Sequence, residues 1–451
     1  MTLFKRTLKY IATILIINIL STNTHGQNPI CPPGMYIADP EAHVWEDGKI
    51  YIYGSRDESD AYWCSHKHHV LFSDDLKTWQ VVEDAFASKG TNDQVSYCDH
   101  LLFAPDCAYK DGTYYLYYCS PDRKMYTEGV ATSKYPTGPF TNGKHIKGAQ
   151  EIDPAVLVDD DGQAYYLWGQ GYPKMAKLKP NMMCIDQTTI CKPLNQAGNE
   201  AFHEGSSIRK IGDWYYLVFA DDSRNNRPTC LGYAISKKPM GPYEYKGVII
   251  DNAGSDPSIW NNHGSIEAFN GQWYVFYHRS THNSQKYRKT CLEPIQINKD
   301  GTINEVEMTS QGALSYLPAQ SLIQAERACL LYGSVFIDHL INNDYPNEIL
   351  THINHNDYAA YKYLHFEKGI NRFRIKTFNA TGGAVELRID SEDGKLVGTC
   401  QINPQPNNTA YQISECKVSN IKGKHALFLV FKGGSGHMFD VDYFEFLKQP
   451  L

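Results

Sequence analysis

Five polar side chains recur at one station of this chain, each a few residues ahead of a glycine turn. They are Asp39 in ADPEAHVWEDG, Asp106 in APDCAYKDG, Asp153 in IDPAVLVDDDG, Glu204 in HEGSSIRKIGD and His263 in NNHGSIEAFNG. Asp39 and Asp153 sit 9 residues before their glycine, Glu204 and His263 sit 8 before, and Asp106 sits 6 before. Carboxyls that share one pocket can do acid–base work: an ionised one activates water while a protonated one delivers a proton to a leaving oxygen. Inverting glycosidic hydrolysis needs such a pair about 6.5–9.5 Å apart. Taken singly, each residue has a plainer reading. Asp before Pro caps turns, Glu before Gly is commonly a solvated loop residue, and a single His is more often structural than a ligand. Repetition at one station is what favours chemistry.

The elements that would position them form a repeat. Asp47-Gly48-KIYIYG, Asp111-Gly112-TYYLYY, Asp161-Gly162-QAYYLWG, Gly212-Asp213-WYYLVF and Asn270-Gly271-QWYVFYH share a glycine turn followed by an aromatic strand, with glycine-to-glycine steps of 64, 50, 50 and 59 residues. Such turns between β-rich runs predict hairpins of type I′, which need positive φ at both central residues. Ser133-KYPT-Gly138-Pro139-Phe140 is echoed by Ser236-KKPM-Gly241-Pro242-Tyr243, each where an outer strand would end. Units of this size with several strands match propeller blades. The expectation is all-β: a five-bladed β-propeller over 28–316, closed by a short strand near 28–37 pairing with the last blade. The strand before each glycine turn is expected to be innermost, so its opening residue faces the axial mouth. Equivalent positions then converge, and the crowding of like charges there is costly unless one acid keeps its proton.

Beyond about Leu322 the texture changes. All seven Trp residues lie earlier, and short alternating strands such as INRFRIKTF, AVELRID and ALFLVFKG follow. This predicts a jelly-roll-like β-sandwich over 322–451, joined by SQGALSYLPAQS as linker.

Bulk properties narrow the function. The 451-residue chain carries a formal net charge of -7, and clustered basic residues are missing, which argues against sequence-independent nucleic-acid binding. Lys5, Arg6 and Lys9 precede an apolar run from Tyr10 to Leu20, the layout of a secretory signal peptide over 1–26 and too short to span a membrane. The mature protein is expected to be a monomer, periplasmic or extracellular, without membrane insertion. None of the 12 cysteines forms a C-x-x-C pair, so zinc-ribbon or thioredoxin-like chemistry has little support. Cys184/Cys191 and Cys400/Cys416 are candidate disulfides, with free buried thiols the equal alternative.

At these residues the sequence resembles the family 43 glycoside hydrolases. NPICPPGMYIADPEAHV, LFAPDCAYKDGTYYLYY, EIDPAVLVDDDGQAYYLWG, HEGSSIRKIGDWYYLVFAD and NNHGSIEAFNGQWYVFYHRS occur in that family's order across residues 28 to 312. The resemblance implies an inverting, exo-acting enzyme on oligo- or polysaccharides of plant type. An α-L-arabinofuranosidase is the first reading, and a β-xylosidase or exo-galactosidase the alternative; a non-catalytic glycan binder is the reading from another class. It further implies Asp39 as general base, Glu204 as general acid with a raised pKa, and Asp153 as the carboxylate that orients the acid. His263, Arg288, Asp57 and Asp106 are implied as substrate-pocket residues. No cofactor is needed for the chemistry, and His263 is implied as the residue beside a structural calcium ion at the propeller axis. IQAERA, GGAVELRIDSEDGKLVG and FDVDYFEF resemble family 6 carbohydrate-binding modules, which implies Glu326 and Asp442 near a second calcium. The chain departs from that pattern at Asn407-Asn408-Thr409, where sugar-binding members usually place an aromatic, and Tyr358 supplies one stacking face.

Overall fold

The computed structural model describes residues 19–22 and 26–448, apart from 121–127, 225, 341–346 and 406–410. The proposed signal peptide, apart from residues 19–22 and 26, and Asn407–Thr409 lie outside the described residues. Seven sheets account for nearly all regular structure. Five are antiparallel blades whose inner strands are Tyr36–Val44, Phe103–Lys110, Ala155–Val158, Phe202–Ile211 and Ser265–Phe269. Each inner strand packs on the next, and the fifth packs back on the first. The sheets are therefore the blades of a closed five-bladed propeller. Outside the inner strand, aromatic runs such as Thr113–Cys119 and Trp214–Asp221 bury both faces between neighbouring blades. The apolar clusters accordingly lie between blades, for example Tyr216, Tyr233 and Tyr277 between the fourth and fifth.

Closure follows the expected route through side chains as well as backbone. Ile30 N–H donates to Thr290 O at 2.9 Å, while the Asn28 amide donates to Leu292 O at 2.8 Å and accepts from Leu292 N–H at 2.9 Å. Asn28 thus completes the outer edge of the last blade as a fourth strand would.

The turns differ from expectation. Positive φ at both central residues occurs at Asp111-Gly112 and Asn270-Gly271, whereas at Asp47-Gly48 and Asp161-Gly162 only the glycine is left-handed. There the strands stop earlier, and Gly48 and Gly162 donate back to Trp45 O at 2.9 Å and Asp159 O at 2.8 Å, closing a longer turn. Gly212-Asp213 places glycine first, as a type II′ turn does.

The C-terminal part is a sandwich of two six-stranded sheets, with Tyr361, Phe373, Phe431, Phe444 and Phe446 in its core. Leu317–Pro318, inside the supposed linker, pairs in parallel with Leu364–His365 as an edge of the module. Neither Cys184/Cys191 nor Cys400/Cys416 forms a disulfide, and eight of the 12 cysteines are buried.

Candidate active site

Backbone irregularity places the site. Across the first blade's inner hairpin the register slips between Ala38 and Glu41, and it slips again at Phe103/Asp106 and between Phe202 and Ser207. Bulges of this kind re-aim side chains at sheet ends. Asp39 and Asp153 hold φ of 53° and 61°, left-handed values that non-glycine residues adopt only where surroundings enforce them. Beside Glu204, Gly205 has φ of 72°, and a Cβ there would meet the His263 ring at 2.9 Å. A larger residue at 205 would therefore displace either His263 or Glu204.

Asp39, Asp153, Glu204, His263 and Arg288 line one cavity of about 380 Å³. Its walls include Trp63, Phe103, Ile152 and Trp260, flat or apolar surfaces suited to the faces of sugar rings. Arg288 donates through Nη1 to Asp39 Oδ1 at 2.7 Å. His278 and His263 approach the same oxygen at 3.4 and 3.5 Å. Burial alone would push the Asp39 carboxyl up, but Arg288, His278 and His263 outweigh it and hold it well below the usual range. Asp39 is therefore ionised at any working pH.

The opposite tuning is found at Asp153. Burial, then the charges of Glu204, Asp39 and Glu128, raise its pKa well above the ordinary value. It accepts from Gly205 N–H at 3.1 Å, which ties it to the strand carrying Glu204. Glu204 accepts from the Gln170 side chain at 2.7 Å and from Asn261 Nδ2 at 3.3 Å. Asp153 therefore keeps its proton beyond the ordinary carboxylate range.

Asp57 and Asp106, expected in the pocket, do not line it. Asp57 lies beneath Arg288, taking Nε and Nη2 on its two oxygens at 2.9 Å each and the Arg288 N–H at 3.0 Å. It fixes the guanidinium that Asp39 uses. Asp106 accepts from Val156 N–H at 2.6 Å and meets His43 Nε2 at 2.7 Å, and burial raises its pKa to about 7. With Glu41, Arg209 and Glu267 it belongs to a buried polar network that ties the inner strands of the first, second, fourth and fifth blades. The reason is register: Asp106 is only six residues from its glycine, deeper along the strand than its counterparts.

The metal site implied at the propeller axis is not assembled around His263. His263 faces Asp39, whose carboxylate is already held by Arg288, so the neighbours of His263 do not supply the oxygen cage that calcium needs. Asp442 is buried against Lys376 at 2.8 Å and the Asn347 amide at 2.9 Å. Glu326 is buried with Oε2 lacking any hydrogen-bond partner.

Comparison with known proteins bears on this arrangement. The family model of glycosyl hydrolases family 43 matches residues 27–303. The chain belongs to that family. A model of the family 6 carbohydrate-binding module matches residues 324–448. This family 43 glycoside hydrolase is 30% identical to a xylosidase/arabinosidase of Thermoclostridium stercorarium, over 90% of the chain and 96% of the relative. Among solved structures it resembles a Bacillus subtilis arabinoxylan arabinofuranohydrolase in complex with cellotetraose, with TM-score 0.54 and 26% identity over 94% of this chain and 98% of that one. It also resembles a β-xylosidase/α-arabinofuranosidase from a compost metagenome, solved with xylotriose in calcium-free form, with TM-score 0.53 and 27% identity over 64% of this chain and 99% of that one.

Several residues of this family 43 enzyme's site were not singled out by sequence: Gln170, His203, Asn261 and the two tryptophans, which line the pocket, and His278, which contacts Asp39. They lie outside the repeated station, so no periodic signal marks them.

Proposed function

We propose that the chain is an inverting, exo-acting α-L-arabinofuranosidase, with Asp39 as general base, Glu204 as general acid and Asp153 as the carboxyl that shares and orients the acid's proton. What carries the reading is the opposite tuning of Asp39 and Asp153 within one cavity. Asp39 takes a proton from water as the water oxygen bonds to the anomeric carbon. The bond to the leaving oxygen breaks, and Glu204 supplies that oxygen's proton; configuration at the anomeric carbon inverts. The closest contacts to Asp39 all fall on Oδ1, which leaves Oδ2 to face the water. A cavity of about 380 Å³ accommodates a terminal sugar better than a long chain threaded through, which supports exo action.

A β-xylosidase is the second reading, supported by relatives whose names carry both activities. Release of 4-nitrophenol from the arabinofuranoside, but not from the xyloside or galactoside, is expected. NMR during turnover should show the inverted anomer first. Turnover confined to the xyloside would move the assignment to the second reading.

In the C-terminal module the orphaned Glu326 Oε2 is the oxygen that a calcium ion would satisfy, with Asp442 on the neighbouring strand. Chelation is expected to lower the melting midpoint, and Glu326→Gln should abolish that response. An unchanged midpoint on chelation removes calcium from the reading. The N-terminal leader supports export, which mass measurement of the mature N-terminus near Gln27 tests. Among the described residues no helix is long and apolar enough to cross a membrane.

A further inference from the structure

We propose that His282, Asp338 and His339 form a binding site for a zinc-type divalent transition cation, which clamps the C-terminal module to the propeller. His282 lies in the loop between the last two strands of the fifth blade, and the other two lie on module strand Phe336–His339. The loop is docked on that strand by the backbone bond from His282 N–H to Ile337 O at 2.6 Å.

Three ligand atoms converge. His282 Nε2 lies 3.1 Å from His339 Nδ1 and 3.3 Å from Asp338 Oδ1, and His339 Nδ1 lies 3.0 Å from that same oxygen. Ligands about 2.0–2.1 Å from a tetrahedral zinc ion stand roughly 3.3 Å from one another, so the triangle is close to the face of a metal tetrahedron. Two imidazoles and one carboxylate are a donor set that zinc, nickel or cobalt prefers over calcium.

Protonation supports the same conclusion. Thr281 Oγ1 donates its single proton to Tyr287 O at 2.9 Å, so at 2.7 Å from His282 Nδ1 it accepts the Nδ1 proton. Nε2 then carries a lone pair directed at a carboxylate and at a second imidazole. Tyr36 Oη, 3.2 Å from Nε2, does not relieve this, because it donates to Glu348 at 3.0 Å. The bond from Nδ1 to Thr281 is the kind of outer contact that orients a ligating histidine.

The clamp would also bear on the pocket. His282 and Asn283 hold φ of 65° and 48°, and Tyr287 packs between Tyr36 and His282 with ring centroids 5.0 and 4.7 Å apart. The next residue is Arg288. A metal here would hold the segment that delivers the pocket arginine.

The test uses the full chain, stripped of metal and titrated calorimetrically with Zn²⁺. One equivalent should bind, and zinc at a hundredfold its Kd should raise the melting midpoint by about 3 °C. Cobalt should bind at the same site and give the visible absorption of a tetrahedral complex. His339 is half exposed, so His339→Ala should keep the fold, shown by unchanged circular dichroism, and lose the equivalent; Asp338→Asn should weaken it at least tenfold. Glu326→Gln should retain it, which separates this site from the calcium reading. Absence of a stoichiometric equivalent, or its persistence in His339→Ala, overturns the proposal.

Discussion

Asp39→Asn is expected to lower kcat by about 10⁴-fold, or roughly 5.5 kcal/mol of barrier, while the melting midpoint moves by no more than a few degrees. The two effects separate because Arg288 faces two carboxylates in the native enzyme. Removing one partner of a buried ion pair ordinarily costs 3–5 kcal/mol, since a charge is left uncompensated. Here Asp57 remains, bound to Nε and Nη2, so the guanidinium keeps a full counter-charge. The amide retains the shape of Asp39 and can still accept from Nη1, but it cannot take a proton from water. Asp57→Asn makes the useful contrast: it frees the guanidinium from its bidentate anchor, so stability should fall more and the chemical step less. The pair is read by kcat and by calorimetric midpoint on the same preparations. A rate within tenfold of wild type in Asp39→Asn would remove this residue from the mechanism.

The sequence carried the fold and the upper rim of the site for one physical reason. Blades repeat, so the residue opening each inner strand is visible as a periodic polar position, and Asp39, Asp153, Glu204 and His263 all reach the cavity. Depth along the axis was not legible. Asp106 shares the pattern but starts nearer its turn, and its side chain meets His43 below the pocket instead. Asp57 was implied in the pocket by resemblance, yet at the end of its strand it lies behind Arg288. Turn type was half legible for a similar reason. Asp-Gly fixes where the chain reverses, but the strand ends at Val44 and Val158 set the loop length, and that depends on packing between blades. Gln170 and Asn261 sit on connections that differ from blade to blade, and His203 opens an inner strand one residue ahead of Glu204. Nothing periodic announces them, although two of them hydrogen-bond the proposed acid.

Glu204→Gln should show a loss that depends on the leaving group. A sugar alkoxide cannot depart without a proton, so hydrolysis of a natural linkage is expected to fall by about 10³–10⁴-fold. Nitrophenolate departs unprotonated, so the 4-nitrophenyl glycoside should lose only about 10–100-fold. The pH dependence should change with it. In the wild type, Asp39 is held ionised far into acid, so activity should persist until the fold itself fails on that side. Burial and the charges of Glu204, Asp39 and Glu128 hold a proton on Asp153, which is given up only as pH rises beyond the ordinary carboxylate range. Activity is therefore lost on the alkaline limb, in the direction opposite to a base that must ionise. With glutamine at 204 the leaving oxygen receives no proton from this position, and the alkaline limb for the nitrophenyl substrate should flatten. Asp153→Asn should instead keep a limb but move it to lower pH, because the buried carboxyl that holds the proton beyond the ordinary range is gone. Rates of both substrates across pH distinguish these outcomes. Equal losses for the two leaving groups, or an alkaline limb unchanged in Glu204→Gln, would show that the proton comes from elsewhere.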